Sequence, residues 1–389
     1  MTVLRNIVVV GGSYVGVNAA QQLAASLAGR FRVLLIEKHS HFQHLFAFPR
    51  FAVATGVDTR KAFIPFVPGT FASCPPGSGT FVQAEVTGLR KDAVQLDRKV
   101  TIDGQQLDSI PYSYLVIATG TKLTPPSTIP VEGKMNGVDY LQKHAQKVIS
   151  SSSIVLIGGG AVGVQMATDI KELYPEKKVT LVHSRRNVMN KFDSKLHNII
   201  AERCKELGIQ LRTGSRVKVP QGGYPTDGSK FDVELEDGSK IPADFAIIAT
   251  GQTPNSAVLR DLSPESIGKD DFIKVSKMLQ IVDEKYPNIF AIGDVAATGA
   301  HKAARPAARQ ATLVVQNVHH LLNNEPLEEY EVIDPPGIHM TLGITKNIVF
   351  RNPGLGSSEP VIKHRDDGTL DMNIDSVWER RGGGSNALL

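Results

Sequence analysis

Ile7-Val8-Val9-Val10-Gly11-Gly12-Ser13-Tyr14-Val15-Gly16 is the stretch that decides the fold. Four β-branched residues run directly into a glycine-rich turn. An Ala- and Leu-rich segment follows from about Val15 to Leu27, and a second apolar run, Arg32–Ile36, ends at Glu37. Strand, turn, helix and strand in this order make one βαβ unit of the expected size. The design recurs at Ile154-Val155-Leu156-Ile157-Gly158-Gly159-Gly160-Ala161-Val162-Gly163, with a second βαβ unit over about 153–183. One such turn suggests one dinucleotide. Two suggest that two dinucleotides meet and exchange a hydride.

The chain has 389 residues, enough for two or three domains with sizeable cores. Lys and Arg number 43 against 39 Asp and Glu, a net charge of +4 without a basic block, so no nucleic-acid partner is expected. The two cysteines, Cys74 and Cys204, form neither a disulfide framework nor a zinc spacing. A reducing, cytoplasmic setting is expected. The first strand begins by about residue 5, leaving no room for a signal peptide, and no apolar run approaches the ~18 residues of a membrane span. Thr2 occupies the position of an N-myristoyl acceptor glycine, and the C-terminal residues are no prenylation box. At most peripheral membrane contact is expected.

Further along, Phe81–Arg98 alternates apolar and polar residues and reads as antiparallel strands. Tyr114–Ile117 and Phe245–Ile248 are apolar strands ending in Ala118-Thr119-Gly120 and Ala249-Thr250-Gly251. An Ala-rich helix is predicted from about Ala303 to Leu322. Pro125-Pro126 and Pro130 mark a boundary. The predicted fold class is α/β, with two Rossmann-like domains arranged as in glutathione reductase. Residues 1–125 and 280–330 form the first domain, 126–279 an inserted second, and 331–389 a C-terminal segment. The run Ile338–Phe350 reads as strand core, and Gly382-Gly383-Gly384-Ser385 as a flexible tail.

The first turn departs from G-x-G-x-x-G at its middle position, Ser13, where a small residue lets backbone approach a pyrophosphate. The helix behind it points its positive end at that site. Glu37 can accept both hydroxyls of an adenosine ribose. Candidate residues here are Gly11, Gly12, Ser13, Tyr14, Val15, Gly16, Glu37 and Lys38, with Thr119 and Gly120 at the neighbouring strand end.

The second turn is complete: Gly158, Gly160 and Gly163, with Ala161 and Val162 between them, and Gly251 at the neighbouring strand end. Its second strand runs into His183-Ser184-Arg185-Arg186, with no acid. An acid there favours NAD, whereas Arg can hold a 2′-phosphate, so NADPH is expected to be accepted as well as NADH. Gly293-Asp294 follows a further apolar strand and precedes a helix. In flavoproteins with two dinucleotides such an Asp binds the ribityl chain of FAD, and the helix N-terminus favours the reduced ring.

Residues 38–60 contain no Cys, so electrons cannot leave through a dithiol placed soon after the first unit. His39, His41 and His44 stand there instead, and with no second cluster to complete a metal site they read as a loop over the flavin.

On these motifs the chain resembles the apoptosis-inducing-factor-homologous, ferroptosis-suppressor type of NAD(P)H:quinone oxidoreductase. That type is a pyridine nucleotide-disulfide reductase-like flavoprotein without the redox disulfide, kin to type II NADH dehydrogenases. The most specific stretches are Phe42-Gln43-His44 through Pro49-Arg50 to Ala54-Thr55-Gly56, the run Asp169–Ser184, Gly293-Asp294 with Lys302, and Trp378. The resemblance implies FAD in the first site, NAD(P)H in the second, and a quinone as acceptor. It places Arg50 and the backbone of Ala84 at FAD, Asp294 at the ribityl chain, and Lys302 beside the flavin ring. It also puts Gln165 where the family usually carries Glu; Gln can hydrogen-bond the nicotinamide amide but cannot act as a base. Two alternatives stay open: a flavoenzyme acting on a specialised metabolite in a biosynthetic route, and a redox-signalling binding protein.

Overall fold

The computed structural model describes residues 5–388; Thr2 and Leu389 lie outside the described residues. Its first sheet is five-stranded and parallel, in the order Ile289–Ala291, Tyr114–Ile117, Arg5–Val10, Phe31–Glu37, Gly79–Gln83. Ile7, Val8 and Val9 have no accessible surface. A parallel sheet covered on both faces demands such unbroken apolar strands, and each fully buried Val or Ile contributes about 1.5–3 kcal/mol. One cover is helix Tyr14–Ser26, whose buried face is mostly Gly and Ala with Val17 and Leu23, so the helix lies close to the sheet. Helix Ala304–Asn323 packs beside it and ends at Asn324 in the left-handed conformation.

The second sheet is four-stranded and parallel: Gln210–Arg212, Lys178–Val182, Ser153–Ile157, Phe245–Ile248. In sequence its strands all fall between two neighbours of the first sheet, Tyr114–Ile117 and Ile289–Ala291. An antiparallel ribbon joins the units, pairing Thr121–Leu123 with Gln252–Pro254. It is fastened by Asn255, whose amide donates to the Thr119 carbonyl at 2.9 Å while its N–H donates to the Gly120 carbonyl at 3.0 Å.

The structure corrects the alternating stretch. Gly79–Gln83 is a parallel edge strand of the first sheet, and the antiparallel strands are Val86–Leu89, Ala93–Ile102 and Gln105–Pro111. The C-terminal segment is a three-stranded antiparallel sheet, Gly337–Thr341, Lys346–Arg351 and Val361–Asp366, followed by helix Ile374–Arg380. Met340, Ile348 and Phe350 are buried core. Within the glycine run after helix Ile374–Arg380, the Gly383 N–H donates to the Trp378 carbonyl at 2.9 Å, and the Trp378 indole donates to the Gly384 carbonyl at 2.8 Å. Among the described residues no helix is long and apolar enough to cross a membrane.

Candidate dinucleotide sites

At the first turn, Gly11 has φ +106, and a Cβ on it would collide with the Ala118 carbonyl. A Cβ on Gly16 would collide with the Gly11 carbonyl oxygen, so the helix start is pressed onto the turn. Ser13 sits at the helix N-cap without a side-chain capping bond. Free amides of the first helical turn remain there, the arrangement that receives a phosphate. The Gly12 N–H donates to Glu37 Oε2 at 2.7 Å and the His39 N–H to Oε1 at 3.1 Å. Two amides thus aim the carboxylate, and two of its lone pairs remain for ribose hydroxyls. The Ala84 N–H donates to the Glu37 carbonyl at 3.1 Å, and Lys38 lies 3.9 Å from Glu85 at the surface.

The Gly293-Asp294 turn is brought to this site. Gly293 has φ +74, its N–H donates to Gln310 Oε1 at 2.8 Å, and a Cβ on it would meet Val15 Cγ1 at 2.7 Å. Asp294 is largely buried, and burial raises its carboxyl while Lys302 pulls it back. The Lys302 ammonium donates to the Ala296 carbonyl and lies 4.6 Å from the Phe272 ring. Burial lowers its pKa, opposed by Asp294 and Asp270. A carboxylate and a cation therefore act on each other beside the first turn.

The second turn repeats the geometry of the first. Gly158 has φ +122 with its Cβ position blocked by Ala249, and Gly163 is pressed onto the Gly158 carbonyl. Around Gly160 there is open space, with no atom within 4 Å of a Cβ. The Gly159 N–H donates to His183 Nδ1 at 3.0 Å. Ser184 and Arg185 are exposed. Gln165, on helix Ala161–Leu173, reaches Met372 Sδ at 3.8 Å, so the C-terminal segment borders this site. Both turns fit a dinucleotide by the same test: backbone packed where a side chain would intrude, and unblocked helix amides.

Arg50 is tied into the interior by an ion pair and backbone carbonyls. It has no accessible surface, and its Nε donates to Asp169 Oδ2 at 2.6 Å. Its Nη groups donate to the carbonyls of Thr369 at 3.1 Å and Gly343 at 2.8 Å. Arg50 thereby joins the helices Phe48–Phe51 and Ala161–Leu173 to the C-terminal segment.

The histidine run is likewise dispersed. His41 lies in strand His41–Gln43, paired with Phe63–Pro65, while His44 Nδ1 is hydrogen-bonded to the Tyr14 hydroxyl at 2.9 Å. Burial, with Arg381 and Arg380 nearby, pushes His44 down to about 4, so it is neutral at pH 7. Arg381 lies 3.8 Å over the Phe42 ring. No motif announced this cluster, because Arg381 reaches Tyr14 and Phe42 only through the fold of the C-terminal segment. Among the described residues no group of three His, Cys, Asp or Glu is gathered for a metal. Both cysteines are free: Cys74 packs near Gln21 in the first unit, and Cys204 is buried in a helix of the second.

Compared with known proteins, residues 5–311 match the family described as pyridine nucleotide-disulphide oxidoreductase. The chain is 35% identical to Fe-regulated protein 8 of Mycosarcoma maydis, over 97% of this chain and 95% of that protein. It is 31% identical to ferroptosis suppressor protein 1 of Mus musculus, over 88% and 87%. Among solved structures, the sulfide:quinone oxidoreductase of Aquifex aeolicus superimposes with a TM-score of 0.74 at 18% identity, covering 98% of this chain and 92% of that one, a likeness of fold.

Proposed function

The chain belongs to the pyridine nucleotide-disulphide oxidoreductase family, and from that premise we propose that it moves electrons from NAD(P)H to a quinone-like small molecule without a redox disulfide. It is an FAD-dependent oxidoreductase, with FAD and NAD(P)H as its cofactors. FAD, when bound, supplies the hydride acceptance and electron release that no side chain offers.

In this reading the amides at Gly11–Gly16 hold the FAD pyrophosphate, Glu37 its ribose, and Asp294 its ribityl chain. Lys302 places a positive charge beside the ring, where reduction adds negative charge. The turn Gly158–Gly163 holds the NAD(P)H pyrophosphate, and Gln165 hydrogen-bonds the nicotinamide amide. Residues 1–125 with 280–330 then form the FAD domain, and 126–279 the NAD(P)H domain. The observation that carries the reading is the packing of Gly293-Asp294 against Val15 of one glycine turn, while a second complete turn stands in its own sheet. The acceptor is external because Cys74 and Cys204 lie in different units and neither has a partner thiol. A cytoplasmic location with at most peripheral membrane contact accords with this reading.

The test is anaerobic titration of the purified protein with NADH and NADPH, followed by a panel of acceptors. The protein should be yellow, bleach with nucleotide, and recover its colour with quinones. Colourless protein that takes up no FAD ends the reading. Gln165, which removes a carboxylate from the nicotinamide side, favours a second reading in which the acceptor is a specialised metabolite. Bleaching by nucleotide without turnover on any quinone would select it.

A further inference from the structure

The two turns carry one polar slot each, and the slots hold different groups. In the first, the N–H of Gly12 donates to the carboxylate of Glu37, the last residue of strand Phe31–Glu37. In the second, the N–H of Gly159 donates to Nδ1 of His183, the first residue after strand Lys178–Val182. The packing agrees: a Cβ on Gly12 would meet Glu37 Cγ at 2.8 Å, and one on Gly159 would meet His183 Cγ at 2.9 Å. His183 thus occupies, in the second unit, the place that Glu37 occupies in the first.

We propose that His183 is the specificity-determining residue of the second turn, and that it makes the chain bind a 2′-phosphorylated dinucleotide at least as tightly as the unphosphorylated one. The inference rests on the reading of the Gly158 turn as the NAD(P)H site.

The chemistry follows from the slot. A carboxylate there accepts the ribose hydroxyls and repels a 2′-phosphate. The imidazole has a single acceptor, Nδ1, and the Gly159 amide uses it. Accepting at Nδ1 fixes the proton on Nε2, and the Nε2 edge is buried. Burial lowers the His183 pKa, opposed by a hydrogen bond to the Asn187 backbone and reinforced by Arg185 and His197, which favours the neutral ring. His183 keeps no acceptor for a ribose 2′-hydroxyl and brings no negative charge to oppose a phosphate. The next acid in the chain, Asp193, is spent as a helix cap, its Oδ1 accepting the Lys195 N–H at 2.9 Å. Arg185 and Arg186 follow His183 after one serine, Ser184, and are exposed, and no carboxylate is paired with either among the described residues.

The experiment measures Kd for NADP⁺ and NAD⁺ by calorimetry on the FAD-loaded full chain, as wild type, His183→Glu and Arg185→Ala. Wild type is expected to bind NADP⁺ at least as tightly as NAD⁺. His183→Glu should shift the ratio toward NAD⁺ by about tenfold or more, because it restores the Glu37-type slot. Arg185→Ala, an exposed change that spares the fold, should weaken NADP⁺ more than NAD⁺. A wild type that binds NAD⁺ about tenfold tighter, or ratios unmoved in both variants, overturns the proposal and leaves the NAD(P)H site standing. Absence of binding by either nucleotide overturns the site reading itself.

Discussion

Arg50 Nε lies 2.6 Å from Asp169 Oδ2, and neither side chain has any accessible surface. Arg50 sits on the short helix Phe48–Phe51 of the first unit, Asp169 on the helix that starts at the second glycine turn. With the Gly343 and Thr369 carbonyls also bound to the guanidinium, one side chain ties together three parts of the chain. Breaking a buried pair leaves a buried charge without its counter-ion, at a cost of about 3–5 kcal/mol. Arg50→Met and Asp169→Leu should each lose that much in urea unfolding. The double variant should lose clearly less than the sum of the two, and strict additivity would show that the pair is not coupled.

The same tie has a consequence for chemistry. Asp169 lies one helical turn beyond Gln165, the residue proposed to meet the nicotinamide. Asp169→Asn keeps the shape and a hydrogen-bond acceptor but removes the charge. It should slow anaerobic flavin bleaching by NADH several-fold while leaving flavin content unchanged. Loss of flavin instead of rate would assign Arg50 and Asp169 to cofactor retention.

Gly160 and Gly163 separate ligand space from protein space within one turn. A Cβ on Gly163 collides with the Gly158 carbonyl, so Gly163→Ala must displace backbone, at a cost of about 1–3 kcal/mol. Around Gly160 the space is open. Gly160→Ala should leave urea stability within about 0.5 kcal/mol yet raise KM for NAD(P)H about tenfold or more, since the methyl group enters the phosphate's approach. Unchanged KM would mean that no dinucleotide lies against this turn.

The sequence makes the glycine turns legible because their signals are local: apolar strand, turn and helix within about thirty residues. Insertion of one unit in the other is legible for the same reason, from the order of the strands. The partner of Arg50 is not, because Asp169 is 119 positions away and nothing in either neighbourhood marks an ion pair. Alternation over Phe81–Arg98 suggests antiparallel strands, which holds from Val86 onward, but Phe81 and Val82 belong to a parallel edge strand whose partner, Leu35–Ile36, is distant in sequence. His183 was visible as the absence of an acid, and only the fold shows that its ring fills the carboxylate's slot.

Acid should destabilise the protein through two histidines. His44 and His144 are both held near 4 in the fold, chiefly by burial, against about 6.5 unfolded. Between those values the unfolded chain binds protons that the folded chain refuses. Stability is therefore full above about pH 6.5 and falls as pH drops toward 4, by up to about 3 kcal/mol for each group. His144 Nδ1 is 2.6 Å from the Ala52 carbonyl and so carries the proton of its neutral ring. His44→Gln should flatten part of this loss in urea titrations at pH 7.5 and pH 5. An equal loss in variant and wild type would place the acid sensitivity elsewhere.

Trp378 is the chain's single tryptophan, and it reports on the closure of the C-terminal segment. The indole is 3% exposed, and Gly383 lies directly against it, so that a Cβ there would overlap the ring. Gly382 in turn packs on Gly69, and Lys134 Nζ lies 5.0 Å from the indole centroid. Only glycine leaves room for this crossing, so the glycine run acts as a fitted strap. Arg381 stands at its root, with its guanidinium over the rings of Tyr14 and Phe42. Gly383→Ala should push the strap off the indole, move Trp emission to the red, and cost about 1–3 kcal/mol. Withdrawal of Arg381 would remove the second-largest influence holding the His44 pKa down, so an NMR titration of that ring should show an upward shift in the same variant. Emission unchanged from wild type would mean that residues 382–384 do not cover Trp378 in solution.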